Sequence, residues 1–335
     1  MGRKKAAFFL AAALVLVLFV AALLPRDESG QSDRSDVYHR TYYVFDTIVQ
    51  AELLSGGSED ALDALEQLLR RYDSLWDPDH PDSDLFRINA AAGTPCAADA
   101  ETIALLRAAL PYCAVSGGRL DLTIGRVTSL WDVTNADTPP SDEQITALLS
   151  AVDYTGILLT DSTVQIPAGT ALDIGAAAKG YIADRAAELL RAQGIDSAIL
   201  DLGGNILTIG CKSSGAPFDI GLQKPFSVRG ELAAQVKAVL PSVVTAGIYE
   251  RYFESDGHIY HHILDRSTGY PVDNELAAVT ILSESSLEGD ILSSVCLMLG
   301  YERATELLRS QYPQVKAVFL FRDGGIYATD ETVLA

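Results

Sequence analysis

Asp173 and Lys179 bracket the stretch Asp173-Ile174-Gly175-Ala176-Ala177-Ala178-Lys179, which leaves an apolar run and enters a long amphipathic segment. An acid, a base and a backbone bare of bulky side chains then share one strand-to-helix turn. Free N–H groups at a helix start attract anions, so this junction suits a phosphate or a metal–phosphate pair. A tight connection with an Asp–Lys surface pair is the plainer alternative. Asp290 and Ser294 are four apart on a second helical segment and share a face. A carboxylate and a hydroxyl so placed can hold a hard cation such as Mg²⁺, or can simply be a solvated face. His258, His261 and His262 cluster on a strand-like segment. Three histidines so close suggest zinc, but a strand does not supply the usual ligand spacing.

The elements that must position these groups follow from periodicity. A helix is predicted from Ala176 to Gln193, with Ile182, Ala186, Leu189 and Leu190 inward and Gly194 as its stop. Another, capped by Ser58, runs to Trp76; helices are also predicted over 101–116, 141–152, 286–299 and 302–310. Trp76 closes its helix, where core packing is the default and stacking on a planar ligand the sharper role. His39 to Leu54 reads as one strand, and further strands are predicted over 197–202, 206–210, 218–222, 233–240, 243–247, 258–264 and 277–282. Hairpins are predicted over 155–166, at Asp256-Gly257 and over 317–328. Strands and helices mix without a βαβ rhythm, which is α+β with mixed or antiparallel sheets rather than a doubly wound fold.

The chain has 335 residues, 48% of them apolar, and a formal charge of −20. That balance excludes sequence-independent nucleic-acid binding, which needs a basic footprint. Arg3, Lys4 and Lys5 precede an apolar run of 19 residues, Ala6 to Leu24, long enough to cross a bilayer. Residues 1–25 thus read as a signal anchor with the body on the extracytoplasmic side; a cleaved signal peptide, with secretion, is the rival. Residues 26–36 read as a polar tether and 37–335 as the folded body. Cys96, Cys113, Cys211 and Cys296 show no metal pattern. Export permits disulfides; buried inert thiols are the bland reading.

The motifs occur in an order that says more than any one alone. Leu120-Asp121-x-Thr123 with Leu130-Trp131 comes first, then Asp173-x-Gly175 to Lys179-Gly180-Tyr181, then Leu202-Gly203-Gly204-Asn205. Thr245-x-Gly247 with Tyr249-Glu250-Arg251-Tyr252-Phe253, His262-Ile263-x-Asp265 with Thr268-Gly269-Tyr270-Pro271, and Asp290 to Ser294 complete the series. The series resembles the ApbE family of FAD:protein FMN transferases over about residues 41 to 328, and implies an ApbE-like, T-fold-like architecture. Such enzymes use Mg²⁺ to split FAD between its phosphates. They join FMN to a Thr or Ser hydroxyl of an acceptor protein and release AMP.

The resemblance also implies roles. Mg²⁺ is expected at the Ala176 carbonyl, Asp290 and the Ser293–Ser294 step. FAD is expected against Phe45, Trp76, Leu120, Asp121, Asp173, Lys179 and Leu264, with His262 near the pyrophosphate as the base. Acceptors would be flavin-bearing subunits of Nqr- or Rnf-type complexes or related domains. Phe45-Asp46-Thr47 stands where Met-Gly-Thr is usual, Ser294 replaces a Thr, and Arg266 replaces a Pro. FAD hydrolysis to FMN and AMP, or non-catalytic FAD binding by an exported protein, remain the alternatives.

Overall fold

The computed structural model describes residues 37–335. The expected anchor and tether, residues 1–36, lie outside the described residues. Among the described residues no helix is long and apolar enough to cross a membrane.

Eight strands lie side by side in chain order, every neighbour antiparallel: Tyr38–Val44, Thr47–Ser55, Ser197–Leu202, Asn205–Ile209, Ser242–Gly247, Leu276–Ser283, Lys316–Phe321 and Ile326–Ala328. The helices are α1 (Glu59–Trp76), α2 (Asp84–Ala90), α3 (Ala100–Val115), α4 (Gly125–Trp131), α5 (Asp142–Leu149), α6 (Ala178–Ala192), α7 (Ser286–Leu299) and α8 (Tyr301–Gln311). Alternation along the strands sends one set of apolar side chains to each face. Val49, Leu53, Leu200, Leu207, Ile281 and Phe319 meet the helices, including Leu62 and Leu65 of α1, Ile182 and Ala186 of α6, and Ile291 and Val295 of α7. Ile199, Val243, Leu282, Val318 and Leu320 meet the hairpin Asp219–Gln223/Leu232–Lys237 on the other face. Leu276–Ser283 is therefore buried at every position. A third cluster joins α4 and α5 to Phe253 and Leu264.

The α+β expectation holds, with two local corrections. The stretch 39–54 is not one strand: it turns back at Phe45-Asp46, where φ is +55° and +52°. That is the left-handed pair a two-residue hairpin demands, normally signalled by Asn-Gly, which is why Phe-Asp concealed it. The strand predicted over 258–264 stops at His261, and a separate two-residue strand resumes at Leu264. The 252–255/258–261 hairpin does turn at Asp256-Gly257, both with positive φ. Ser58 caps α1 by accepting the Ala61 N–H at 3.1 Å, as its position implied.

Candidate active site

The start of α6 is built against α7. Ala177, at the N-cap, has no side chain able to cap. Asp290 of α7 supplies the missing acceptor: its Oδ2 takes the Gly180 N–H at 2.8 Å. The helices approach so closely that a Cβ on Gly180 would lie 2.3 Å from the Ser286 carbonyl oxygen and 2.7 Å from the Asp290 Cβ. Ala176 precedes the N-cap and so lies outside the helix's own hydrogen-bond ladder, and no hydrogen bond reaches its carbonyl among the described residues. One turn along α7, the Ser293 hydroxyl donates to the Asp290 carbonyl at 2.8 Å, and Ser294 is half-buried on the Asp290 face. α7 is itself capped by Ser285, and Asp184 of α6 accepts the Ser286 and Leu287 N–H groups. The two helix starts are thus capped from each other.

Asp290 is buried, not on a solvated face. Burial pushes its carboxyl up to about 6, and Lys179 and the Gly180 N–H pull it partway back. The Asn205 amide also faces this carboxylate but falls short of hydrogen-bond geometry: its Nδ2 is buried without a partner, while its Oδ1 accepts from the Ser286 hydroxyl at 2.7 Å. Half-buried Asp201 is likewise raised by burial and relieved by Gly204 and Lys179. Lys179 does not pair with Asp173. Its charge bears on Asp290, Asp201 and His262 together. This corner therefore combines a buried carboxylate, a free carbonyl and two hydroxyls, an all-oxygen donor set that fits a hard cation, with one ammonium beside it.

The neighbouring histidines differ completely. His261 is buried; its Nε2–H donates to the Val272 carbonyl at 2.9 Å and its Nδ1 accepts the Ile263 N–H at 3.3 Å. Both ring nitrogens are occupied, and burial pushes it down to about 4. His262 is half-buried, with Nδ1 3.2 Å from the Arg251 carbonyl. A carbonyl only accepts, so Nδ1 carries the proton and Nε2 is left with a lone pair. Burial and then the Arg251 charge push this imidazole down to about 3, so it is neutral at pH 7.

Asp173 sits beside the loop that carries Asp121. Its N–H donates to the Leu122 carbonyl at 2.8 Å, and its carboxylate accepts from Thr128 of α4 and from the Gly175 N–H. Asp121 is buried, with Oδ1 held by the N–H and hydroxyl of Thr123 and Oδ2 by the Tyr154 N–H. Leu120 is buried beside it, and Leu264 packs with Ile124, Val127 and Trp131. Trp76 is 6% exposed, its indole N–H donating to Thr102 at 2.9 Å and its ring 5.8 Å from that of Tyr181 on α6. Phe45 is half-buried at the hairpin turn, its N–H held by Asp73 at 2.7 Å.

Ala176, Lys179, Asp290, Ser293 and Ser294 thus gather at one helix–helix corner, with His262 within the field of Lys179. Asp173, Leu120 and Asp121 adjoin through the backbone; Trp76 reaches the corner through Tyr181. Sequence reasoning missed Asp201, Asn205 and Arg251 as neighbours of this site, although Asn205 closes the Leu202-Gly203-Gly204-Asn205 motif, Asp201 directly precedes it and Arg251 lies in the Tyr249-to-Phe253 motif. No cluster of three His, Cys, Asp or Glu that could hold a metal occurs among the described residues, so the three histidines do not form a zinc site. Cys113 and Cys296 are buried thiols, whereas Cys211 is exposed and Cys96 half-buried, and all four are free.

The ApbE family model matches residues 44–319. A Treponema pallidum protein named FAD:protein FMN transferase is 34% identical over 322 residues, 90% of this chain and 89% of that protein. A Klebsiella pneumoniae protein of the same name is 37% identical over 265 residues, 78% and 82% of the two chains. The crystal structure of the ApbE protein from Thermotoga maritima superposes with a TM-score of 0.81 at 26% identity, covering 88% of this chain and 97% of that one. The Pseudomonas stutzeri flavinyl transferase ApbE, in its apo form, gives 0.76 at 28% identity over 88% and 94%. With its fold, its motif order and nearly its whole described length in common with these proteins, the chain belongs to the ApbE family.

Proposed function

We propose that this protein transfers FMN from FAD to a Thr or Ser hydroxyl of an acceptor flavoprotein, releasing AMP, with Mg²⁺ as cofactor. The observation that carries the reading is the corner where Lys179, the Ala176 carbonyl and Asp290 converge within the field that also reaches His262. Mg²⁺ would be held by the Ala176 carbonyl, Asp290 and the Ser293–Ser294 step, and would supply neutralisation of the pyrophosphate charge. FAD would lie against Phe45, Trp76, Leu120, Asp121, Asp173, Lys179 and Leu264. Both carboxylate oxygens of Asp121 are engaged internally, so its contribution is to fix the loop that lines the site.

In the transfer, the acceptor oxygen bonds to the phosphorus of the FMN half and the bond from that phosphorus to the bridging oxygen breaks. AMP leaves with the electron pair. Lys179 offsets charge on the phosphates and on the departing AMP. Nε2 of His262 takes the hydroxyl proton. Free, this imidazole is a weak base; a dianionic pyrophosphate beside it favours the protonated form and raises its pKa toward the working range. The body would work on the extracytoplasmic side, tethered by residues 1–25, where Nqr- or Rnf-type acceptors present their flavin domains.

The test is to incubate the protein with FAD, Mg²⁺ and the soluble flavin domain of an Rnf-type subunit. The acceptor should gain the mass of FMN less water while AMP appears in equal amount. Free FMN and AMP without acceptor gain would convert the reading to FAD hydrolysis; intact bound FAD alone would remove catalysis.

A further inference from the structure

We propose that the loop 224–231 and the outer face of the 252–261 hairpin form the docking surface for the folded acceptor protein. This rests on the transferase reading above. Phe226, Val228, Tyr252 and Ile259 are 44%, 78%, 37% and 40% exposed. Tyr252 and Ile259 share one face of the hairpin, because Tyr252 pairs with His261 and Glu254 with Ile259, while Phe253 and Tyr260 stack inward on the other face. The Phe226 ring lies edge-on to Tyr252 at 5.4 Å and to Tyr249 at 6.1 Å. The exposed pair Ile326 and Tyr327 alternates across one short strand, and Tyr43 and Leu158 stand on separate elements; here Phe226 and Tyr252 are in ring contact, with Val228 two residues from Phe226 and Ile259 on the Tyr252 face.

The patch is built rather than loose. Gln223 braces the loop from inside: its Nε2 donates to the Lys224 and Val228 carbonyls at 3.1 Å, and its Oε1 accepts the Gly230 N–H at 2.8 Å. Lys224 pairs with Glu231 across the loop base, and Arg229 with Glu250 on the neighbouring segment. Within this frame Phe226 is held at φ +56°, a conformation bulky residues rarely adopt. The frame presents Phe226 and Val228 outward at a conformational cost that a merely solvated loop would not need.

Its position identifies the occupant. The Arg251 carbonyl holds His262, and Tyr252 is the next residue, opposite His261. Backbone spacing then puts Tyr252 within about 10 Å of His262. A stable protein interface buries about 800 Å² per partner, a disc of roughly 16 Å radius. A folded acceptor that brings its hydroxyl to Nε2 of His262 therefore has to cover ground this close to it. Tyr252, with exposed Arg251 beside it, belongs to the residue types that dominate such interfaces.

The experiment uses the full chain with FAD, Mg²⁺ and the soluble flavin domain of an Rnf-type subunit, comparing wild type with Val228→Asp and Phe226→Ser. Val228 is exposed enough that its variant folds. The expected result is a rise of roughly tenfold or more in KM for the acceptor in both variants. kcat at saturating acceptor and FAD affinity by flavin fluorescence should stay within about twofold of wild type. Unchanged acceptor KM in both variants, while wild type transfers FMN, overturns the docking surface and leaves the transferase reading standing. A wild-type dimer that both variants convert to monomer, with acceptor KM unchanged, reassigns the patch to a second copy of this chain. If wild type moves no FMN, the transferase reading fails and the docking surface falls with it.

Discussion

The α6–α7 corner and the 249–265 segment hold charge in opposite ways. At the corner a carboxylate is buried, capped onto a helix start and pressed against a glycine with no room for another carbon. In the 249–265 segment an imidazole is half-buried, tied at one nitrogen and left with a lone pair at the other. The first geometry suits binding a fixed charge, since nothing there can move without separating two helices. The second suits proton transfer, since a base has to gain and lose charge and this ring keeps one nitrogen without a partner to do so. Two aspartates and two histidines make the same point at closer range. Asp121 and His261 have every polar atom of their side chains engaged internally, whereas Asp290 and His262 each keep capacity for a ligand.

Substitutions can break this division. Asp290→Ala should have the largest effect: transfer of FMN should fall below detection by acceptor mass, and added Mg²⁺ should no longer raise the rate. Activity near wild type in that variant would remove the metal role from this corner. His262→Ala should lower kcat for transfer by about 10²–10⁴-fold with FAD affinity kept, as loss of a general base does. Equal loss of affinity and rate would move His262 from chemistry to binding and dissolve the contrast between the regions. Gly180→Ala should destabilise the fold by about 1–3 kcal/mol in denaturant titration, because the clashing partners include a backbone carbonyl that cannot step aside.

The smallest effect should be on the pH dependence of stability, because the two histidines, His261 and His262, are partly opposed by Asp290. His261 is at about 4 folded, below its unfolded value of 6.5, so the unfolded chain binds more protons between them. Its contribution is present above pH 6.5 and lost as pH falls toward 4. Asp290 is at about 6 folded, above its ordinary 3.8, so the folded chain binds more protons there. Its contribution is present below pH 3.8 and lost as pH rises through 6. Each limb is at most about 1.4 kcal/mol per pH unit. In the metal-free protein Asp290→Asn should steepen the rise of stability with pH in melts from about pH 4 to 6, because His261 and His262, down to about 4 and about 3, then titrate unopposed, whereas His261→Gln should flatten it, because His262 and Asp290 nearly cancel. Mg²⁺ should weaken the Asp290 limb in His261→Gln, since a bound cation favours the carboxylate; no response to Mg²⁺ would argue against a metal at Asp290.

The sequence by itself determined the architecture and the chemical inventory. Periodicity located α1, α6 and α7 to within a residue or two, because burying a helix face or a strand face imposes a repeat that survives in one dimension. The order of short motifs pointed to Asp173, Lys179, His262 and Asp290 because chemistry fixes residue type. Tertiary structure alone decided which of those groups is enclosed and which is open. Asp290 caps a helix 110 positions away, and the Ala176 carbonyl beside that cap accepts no hydrogen bond among the described residues; no local pattern encodes a cap supplied from another helix. His261 and His262 are chemically identical neighbours, and only the partners brought by Val272 and Arg251 separate a satisfied core ring from one with a free nitrogen. The Phe45-Asp46 turn and the Phe226 loop stayed hidden for the same reason. Their left-handed residues are held by surrounding contacts rather than chosen by their own preference, and those contacts exist only once the chain has folded.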